Sequence, residues 1–186
     1  MGYYSAMFDL GTIHTQDLRV SEYLFSLHTP FFDWFFSLIT LLGNTEVVTI
    51  VTTLFVVWLL YIKKYHFAYL TLIVVIGSTT TTHLLKKVFA RPRPELEIVQ
   101  LETYSFPSGH ATAAIALYGV MAYTVYKLPQ KNHHRYALLL LLSLVVLIGF
   151  SRMYLGYHYM SDVLAGYFVG GVWLFASTYL FRDKIR

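Results

Sequence analysis

Residues 151–162 read SRMYLGYHYMSD, and an apolar run lies on either side, 136–154 before the motif and 158–181 through and beyond it. One cation (Arg152), one imidazole (His158) and one carboxylate (Asp162) thus stand at the edge of segments made otherwise of hydrocarbon. A bilayer core of ~30 Å takes about 20 apolar residues per helix, and both runs approach that length. Ionisable groups are costly in or beside hydrocarbon, so by default they mark function. The stretch therefore reads as a short connection between two membrane helices, and it carries chemistry.

Working outward, three more runs meet the same criterion: 46–62, 66–85 and 108–126. The predicted fold is all-α, a polytopic membrane helix bundle of five transmembrane helices. Residues 1–186 are expected to form a single domain, with the catalytic bundle at 46–181 and a polar segment at 1–21. Residues 22–42 are the less regular part. Asp33, Ser37 and Thr40 make a narrow polar stripe on a helix of Phe, Trp, Leu and Ile, a pattern that suits an amphipathic helix in the membrane interface. The alternative is a sixth span, weakened by His28, Pro30 and Asp33.

Composition agrees with a membrane domain. The chain has 186 residues, of which 56% are hydrophobic and only 13% charged, a balance rare in soluble domains. There is no cysteine, so disulfides, thiolate catalysis and cysteine-ligated metals are excluded. The net charge of +4 raises the question of nucleic acid. However, the Lys and Arg residues fall in short loops, the tail and the motif regions, leaving no basic stripe with interleaved aromatics. No basic region followed by an apolar core opens the chain, so a cleavable signal is not expected.

Charge also sets an orientation. Lys63, Lys64, Lys127, Lys131, Arg135, Arg182, Lys184 and Arg186 cluster where the positive-inside rule places a cytoplasmic face. The spans then carry the motif regions to the opposite face, together with Asp9, Asp17, Glu22, Glu95, Glu97 and Glu102. The expected setting is the plasma (inner) membrane of a bacterium, with the site facing the periplasm or exterior.

Three motifs share that face. In the first, His158 and Asp162 are four residues apart, so on a helix they share a side. The carboxylate can fix the ring tautomer and free the other nitrogen as a nucleophile. Arg152 can fork onto two phosphate oxygens. The second is Pro107-Ser108-Gly109-His110, which opens an apolar run. Serine is a good N-cap, glycine admits a ligand to the backbone, and free N–H groups at a helix start attract anions. His110 sits there as a candidate general acid. In the third, KKVFARPRP, Lys86 and Arg93 bracket a helix end set by Pro92 and Pro94. Each has a plainer reading alone: a helix-start histidine with a nearby ion pair, an ordinary capped helix, a juxtamembrane basic cluster. Their joint occurrence, in order and at one face, is far more specific.

Together, Lys-x6-Arg-Pro, Pro-Ser-Gly-His and Ser-Arg-x5-His-x3-Asp resemble the type 2 phosphatidic acid phosphatase family, PAP2, which is related to the vanadium haloperoxidases. The resemblance covers Lys86 to Asp162 with every motif position filled. It implies that His158 takes the phosphoryl group, that Asp162 orients it, and that His110 protonates the leaving oxygen and later activates water. It further implies that Lys86, Arg93 and Arg152, with Ser108 and the Gly109 amide, hold the phosphoryl oxygens. Neither metal nor cofactor is implied, since three fixed cations can supply the charge that magnesium supplies elsewhere. The implied partners are a lipid phosphate substrate and membrane lipids. Phosphatidylglycerophosphate and undecaprenyl pyrophosphate lead the candidates, followed by lipid A 1-phosphate and phosphatidic acid. The rivals of other classes are a vanadate-dependent haloperoxidase and a non-enzymatic phosphate-binding membrane protein.

Elsewhere, His83 is expected to pack or to support the site from behind. Thr79 to Thr82 should bond their own helix carbonyls. Gly166, Gly170 and Gly171 suit close helix packing. His133 and His134 belong to a basic loop. Trp34, Trp58 and Trp173 are expected as interfacial or packing aromatics.

Overall fold

The structure is a computed structural model that describes residues 11–94, 103–128 and 134–182. The described residues form helices α1 (Gly11–Ser26), α2 (Pro30–Leu41), α3 (Thr45–Tyr61), α4 (Tyr65–Phe89), α5 (Gly109–Ala114), α6 (Val120–Lys127), α7 (His134–Tyr154) and α8 (Met160–Leu180). A π-helical turn, Ile115–Gly119, joins α5 to α6.

Local chemistry explains the breaks. Thr29 caps α2 by accepting the Phe32 N–H at 3.3 Å, and Pro30 takes the first turn, where no amide donor is needed. Helix α4 ends on Ala90, whose left-handed backbone (φ 44°, ψ 34°) lets its N–H reach the Lys86 carbonyl. A residue with a Cβ is mildly strained there. The ArgProArgPro that follows cannot continue the helix.

Helices α4 and α8, and residues 135–154 of α7, are each long and apolar enough to cross a membrane, and only about a third of each apolar window is buried in the protein. The remainder presents residues such as Leu140, Val146, Phe168 and Phe175 outward, as a lipid-facing surface requires. Helices α2 and α3 meet the same criterion only as a pair, bent by 48°. Among the described residues three helices, or four spans with the bent pair, are thus long and apolar enough to cross a membrane, and the five expected are not confirmed. Residues 46–62 reach span length only with α2, and 108–126 are divided by the π turn.

The N-terminal third differs in kind from the expectation. Residues 22–42 are not one interfacial helix, because α1 runs to Ser26 and a turn precedes α2. Two members of the polar stripe face protein. Thr40 is buried and accepts a hydrogen bond from Arg152 at 2.9 Å, while Asp33 accepts one from the Tyr154 hydroxyl at 2.9 Å. The stripe reads as amphipathic because α2 docks its polar side on α7. Half of the expected polar segment 1–21 is helix α1, and its Asp17 is buried.

Among the described residues the core has three centres. Ala114, Leu117 and Ile148 anchor one, Leu59, Leu70, Val74 and Val120 a second, and Phe36, Tyr154 and Leu155 the third. Glycine decides how closely the site-bearing helices approach. A Cβ on Gly166 would lie 2.5 Å from the Ser108 carbonyl, and one on Gly170 2.8 Å from that of Thr112. Both therefore serve close packing as expected, whereas Gly171 has nothing within 4 Å and does not. Trp173 packs on Gly77 and donates to Thr81 at 3.0 Å.

Candidate active site

The end of α7 and the start of α8 present Arg152, His158 and Asp162. Gly156 turns the chain at φ 72°, and the His158 N–H then returns to the Arg152 carbonyl at 3.1 Å. The first turn of α8 places Asp162 over that loop. Its Oδ2 accepts the Tyr159 N–H at 3.0 Å and faces His158 Nδ1 at 3.4 Å. His158 is thereby held with Nδ1 toward the carboxylate and Nε2 toward Arg93, whose Nη1 lies 3.5 Å away.

The cations are fixed by neutral acceptors. Arg93 donates to the carbonyls of Tyr157 (2.6 Å) and Thr103 (2.9 Å) and to the Thr103 hydroxyl (2.8 Å). Lys86 donates to the carbonyls of Tyr104 and Ser105. Arg152 stacks on the Tyr157 ring at 4.0 Å while donating to Thr40. Carbonyls and hydroxyls orient a cation without neutralising it, so these contacts set the direction of each side chain and not its charge. The same charges act on His158. Burial foremost, then Arg152, Arg93 and Lys86, hold its imidazole well below the ordinary value of 6.5. These causes favour the neutral ring, the form in which an imidazole nitrogen is nucleophilic.

His110 enters from the start of α5. Ser108 caps that helix, its hydroxyl facing the Ala111 N–H at 3.5 Å, and its own N–H donates to the Asp162 carbonyl at 2.9 Å. The backbone at Ser108 therefore links the two motif helices. His110 Nε2 lies 2.8 Å from the Asn44 amide oxygen. Asn44 stands at the N-cap of α3 but makes no side-chain cap there. Gly43, beside it, lets the α2–α3 elbow abut the His110 ring, because a Cβ would lie 2.8 Å from Cδ2.

Lys86, Arg93, Gly109, His110, Arg152 and His158 line one cavity of about 630 Å³. Asp162 lies behind His158, and Ser108 is fully buried, with its hydroxyl turned to its own helix. The cavity continues between α3 and α4, past Thr45, Thr49 and Thr53 on one side and Thr79, Thr80 and His83 on the other, as far as Leu72. Thr49 and Thr53 bond carbonyls one turn back, at 2.7 and 2.8 Å. Their hydroxyls are thus satisfied within their own helix. Within the Thr79–Thr82 run, expected to bond its own helix carbonyls, Thr82 instead bonds Thr112 across the helix interface at 3.2 Å and Thr81 accepts from Trp173 at 3.0 Å. His83 is held by the Thr79 carbonyl at 2.9 Å and lines the cavity in a supporting position.

Sequence reasoning missed Asn44, Asp17 and Arg91. Arg91 donates to Asp162 Oδ1 and to Asp17 Oδ2, both at 2.7 Å. Arg91 carried a signal, a cation between a helix end and a proline. Asn44 and Asp17 carried none beyond ordinary cap and surface polarity.

Comparison with known proteins gives a consistent picture. Residues 66–186 match the PAP2 superfamily. The chain is 28% identical over 185 residues to phosphatidylglycerophosphatase B of Bacillus subtilis (strain 168), covering 98% of this chain and 91% of that protein. It is 29% identical over 172 residues to the protein named probable sphingosine-1-phosphate phosphatase of Dictyostelium discoideum, covering 87% of this chain and 41% of that one. Among solved structures, the transmembrane PAP2 type phosphatidylglycerolphosphate phosphatase from Bacillus subtilis superposes with a TM-score of 0.83 at 28% identity, over 98% of this chain and 92% of that one. Aquifex aeolicus LpxE shares the fold, with a TM-score of 0.72 at 24% identity over 87% and 94% of the two chains.

Proposed function

The chain belongs to the PAP2 superfamily, and on that premise we propose that it is an integral membrane lipid phosphatase that works through a phosphohistidine, with phosphatidylglycerophosphate as its leading substrate. The observation that carries this reading is the meeting of three cations and two histidines on one cavity that runs on between two apolar helices. A phosphate fits the cationic end, and a lipid fits the remainder.

In the proposed reaction Lys86, Arg93, Arg152 and the Gly109 amide hold the phosphoryl oxygens, and Ser108 supports that amide by capping its helix. His158 Nε2 attacks phosphorus while Asp162 accepts the Nδ1 proton as a hydrogen bond. The bond from phosphorus to the lipid oxygen breaks as His110 delivers its proton to that oxygen. Water then attacks the phosphohistidine, His110 takes the proton, and the P–N bond breaks to release inorganic phosphate. With Nε2 of His110 directed at Asn44, Nδ1 is the nitrogen that carries the transferred proton. Catalysis is then positioning plus charge stabilisation, as phosphoryl transfer demands.

Sidedness is part of the proposal. Lys63 and Lys64 lie in the α3–α4 turn, at the end of α4 opposite Lys86, and about 22 residues of helix separate the two levels by ~33 Å. Lys127 and Arg135 stand at the ends of α6 and α7 remote from His110 and Arg152. The positive-inside rule then puts the site at the outer face.

The test is phosphate release by the purified chain over four lipids: phosphatidylglycerophosphate, undecaprenyl pyrophosphate, lipid A 1-phosphate and phosphatidic acid. The highest kcat/KM is expected for the first. A preference for the pyrophosphate would reassign the substrate, and no release from any of them would overturn the enzymatic reading.

A further inference from the structure

A second carboxylate stands behind the His158–Asp162 pair. Asp17 lies in α1, and its exposure is 0%. Arg91, from the α4–α5 connection, is 5% exposed and joins the two acids, with Nη1 on Asp162 Oδ1 and Nη2 on Asp17 Oδ2, each at 2.7 Å. Ser161 completes the cluster. Its N–H donates to Asp17 Oδ1 at 3.0 Å, its hydroxyl donates to Asp17 Oδ2 at 2.5 Å, and its oxygen accepts from Arg91 Nη1 at 2.7 Å. The guanidinium lies 4.2 Å over the Tyr159 ring.

The arithmetic of charge gives this cluster a meaning. Among the described residues, two carboxylates share one guanidinium, a formal balance of about −1 on the Nδ1 side of His158. Were Arg91 paired to Asp162 alone, its charge would offset the carboxylate that must hold the His158 ring. Asp17 restores the negative balance while keeping Asp162 oriented through its other oxygen. Burial makes each of these charges act more strongly than it would in water.

We propose that Asp17 and Arg91 are positioning residues of the reaction, acting through Asp162 on the charge and orientation of His158, so that the amino-terminal helix is part of the catalytic apparatus. The inference rests on His158 as the nucleophile. Among the described residues, the charged and titratable groups around the pair are Asp17 and His14 from α1, Lys86 from α4, Arg91 and Arg93 from the following connection, His110 from α5, Arg152 from α7, and Tyr157 and Tyr159 from the α7–α8 connection.

The test uses the full chain in detergent with 4-nitrophenyl phosphate, whose acidic leaving group places the weight on nucleophilic attack. Asp17→Asn keeps the shape and the acceptor oxygen but removes a negative charge, so protonating His158 becomes harder. The acidic limb of kcat/KM should move down by about half a pH unit, with kcat about 5-fold lower and KM within about twofold. Arg91→Gln removes a positive charge and should move the limb the other way, with a loss in kcat of about 100-fold. Arg91→Lys should recover part of that loss. His158→Ala, run alongside, separates the two readings, since its persistence in turnover would sink the phosphohistidine mechanism itself. With His158→Ala inactive, a limb that stays put in Asp17→Asn, or moves the same way in both charge variants, overturns the inference. A loss explained wholly by a lower active fraction also reduces the cluster to a staple for α1. Should Arg91→Gln fail to fold, the sign of the Asp17→Asn shift decides alone.

Discussion

The two histidines of the site are held by partners of opposite kind. His158 leans on Asp162 and, behind it, on the buried charges of Arg91 and Asp17. His110 rests on the neutral amide of Asn44 at 2.8 Å. A carboxylate fixes the ring and favours its positive form, whereas an amide fixes the ring and leaves the proton easier to release. On the proposed mechanism, the residue that attacks and then bears a phosphoryl group is backed by negative charge, and the residue that gives up a proton is held without it. One side of the site would then serve covalency and the other proton traffic.

The sharpest way to break that contrast is to delete the attacking ring. His158→Ala should lower phosphate release by at least ~10³-fold with an unchanged melting temperature. Asp162→Asn should retain more, at about 10²-fold below the parent, because the nitrogen remains and only its orientation suffers. Near-parental turnover in purified His158→Ala would end the assignment.

His110→Ala comes next. General acid catalysis contributes about 10²–10⁴-fold, and that loss should fall on a lipid alkoxide far more than on a nitrophenolate leaving group. Equal losses on both would make His110 a phosphate-binding residue.

Asn44 sharpens the contrast further. Asn44→Ala should slow lipid turnover by roughly 10-fold through a looser ring. Asn44→Asp would give His110 the kind of partner that His158 has. Burial foremost, then Arg152, His158, Arg93 and Lys86, lower the His110 ring to about 2. Because His110 must be protonated to act, activity is lost as pH rises through the value the ring holds once a bound phosphate offsets those cations. A carboxylate should therefore carry the basic limb of kcat/KM upward by about one unit. The acidic limb reports His158, which must be neutral, and it should stay below the ordinary 6.5 given the burial and cations around that ring. A basic limb that did not move would detach Asn44 from the proton path.

The smallest expected effect is that of a chelator. With Lys86, Arg93 and Arg152 supplying positive charge, EDTA should change turnover by less than about twofold. Loss in EDTA and recovery with magnesium would show that the cations do not suffice.

The site's charged members were legible because charge is scarce in an apolar chain. Lys86, Arg93, Arg152, His158 and Asp162 each interrupt hydrocarbon, and the structure gathers them. The supporting residues were hidden for a physical reason. Asn44 meets His110 across 66 positions and Asp17 meets Arg91 across 74, distances over which no local period operates. In the fold, the long apolar helices α4, α7 and α8 could be read from hydropathy. The bent α2–α3 pair and the π turn could not, because both depend on how helices meet. The Asp33–Thr40 stripe shows how this misleads, since a polar face that docks on protein has the same period as one that lies in head groups.

Gly166 and Gly170 bring α8 into van der Waals contact with the backbone of α5, at the Ser108 and Thr112 carbonyls. Side-chain atoms of Ala111 and Ile115 stand beside that main-chain contact, so the two helices have little room to slide or rotate. The segments that carry His110 and His158 are thereby tied to each other through their backbones. On the proposed function, widening that admits a lipid falls to the opposite wall, where the α2–α3 elbow and the threonine-lined face of α4 enclose the rest of the cavity.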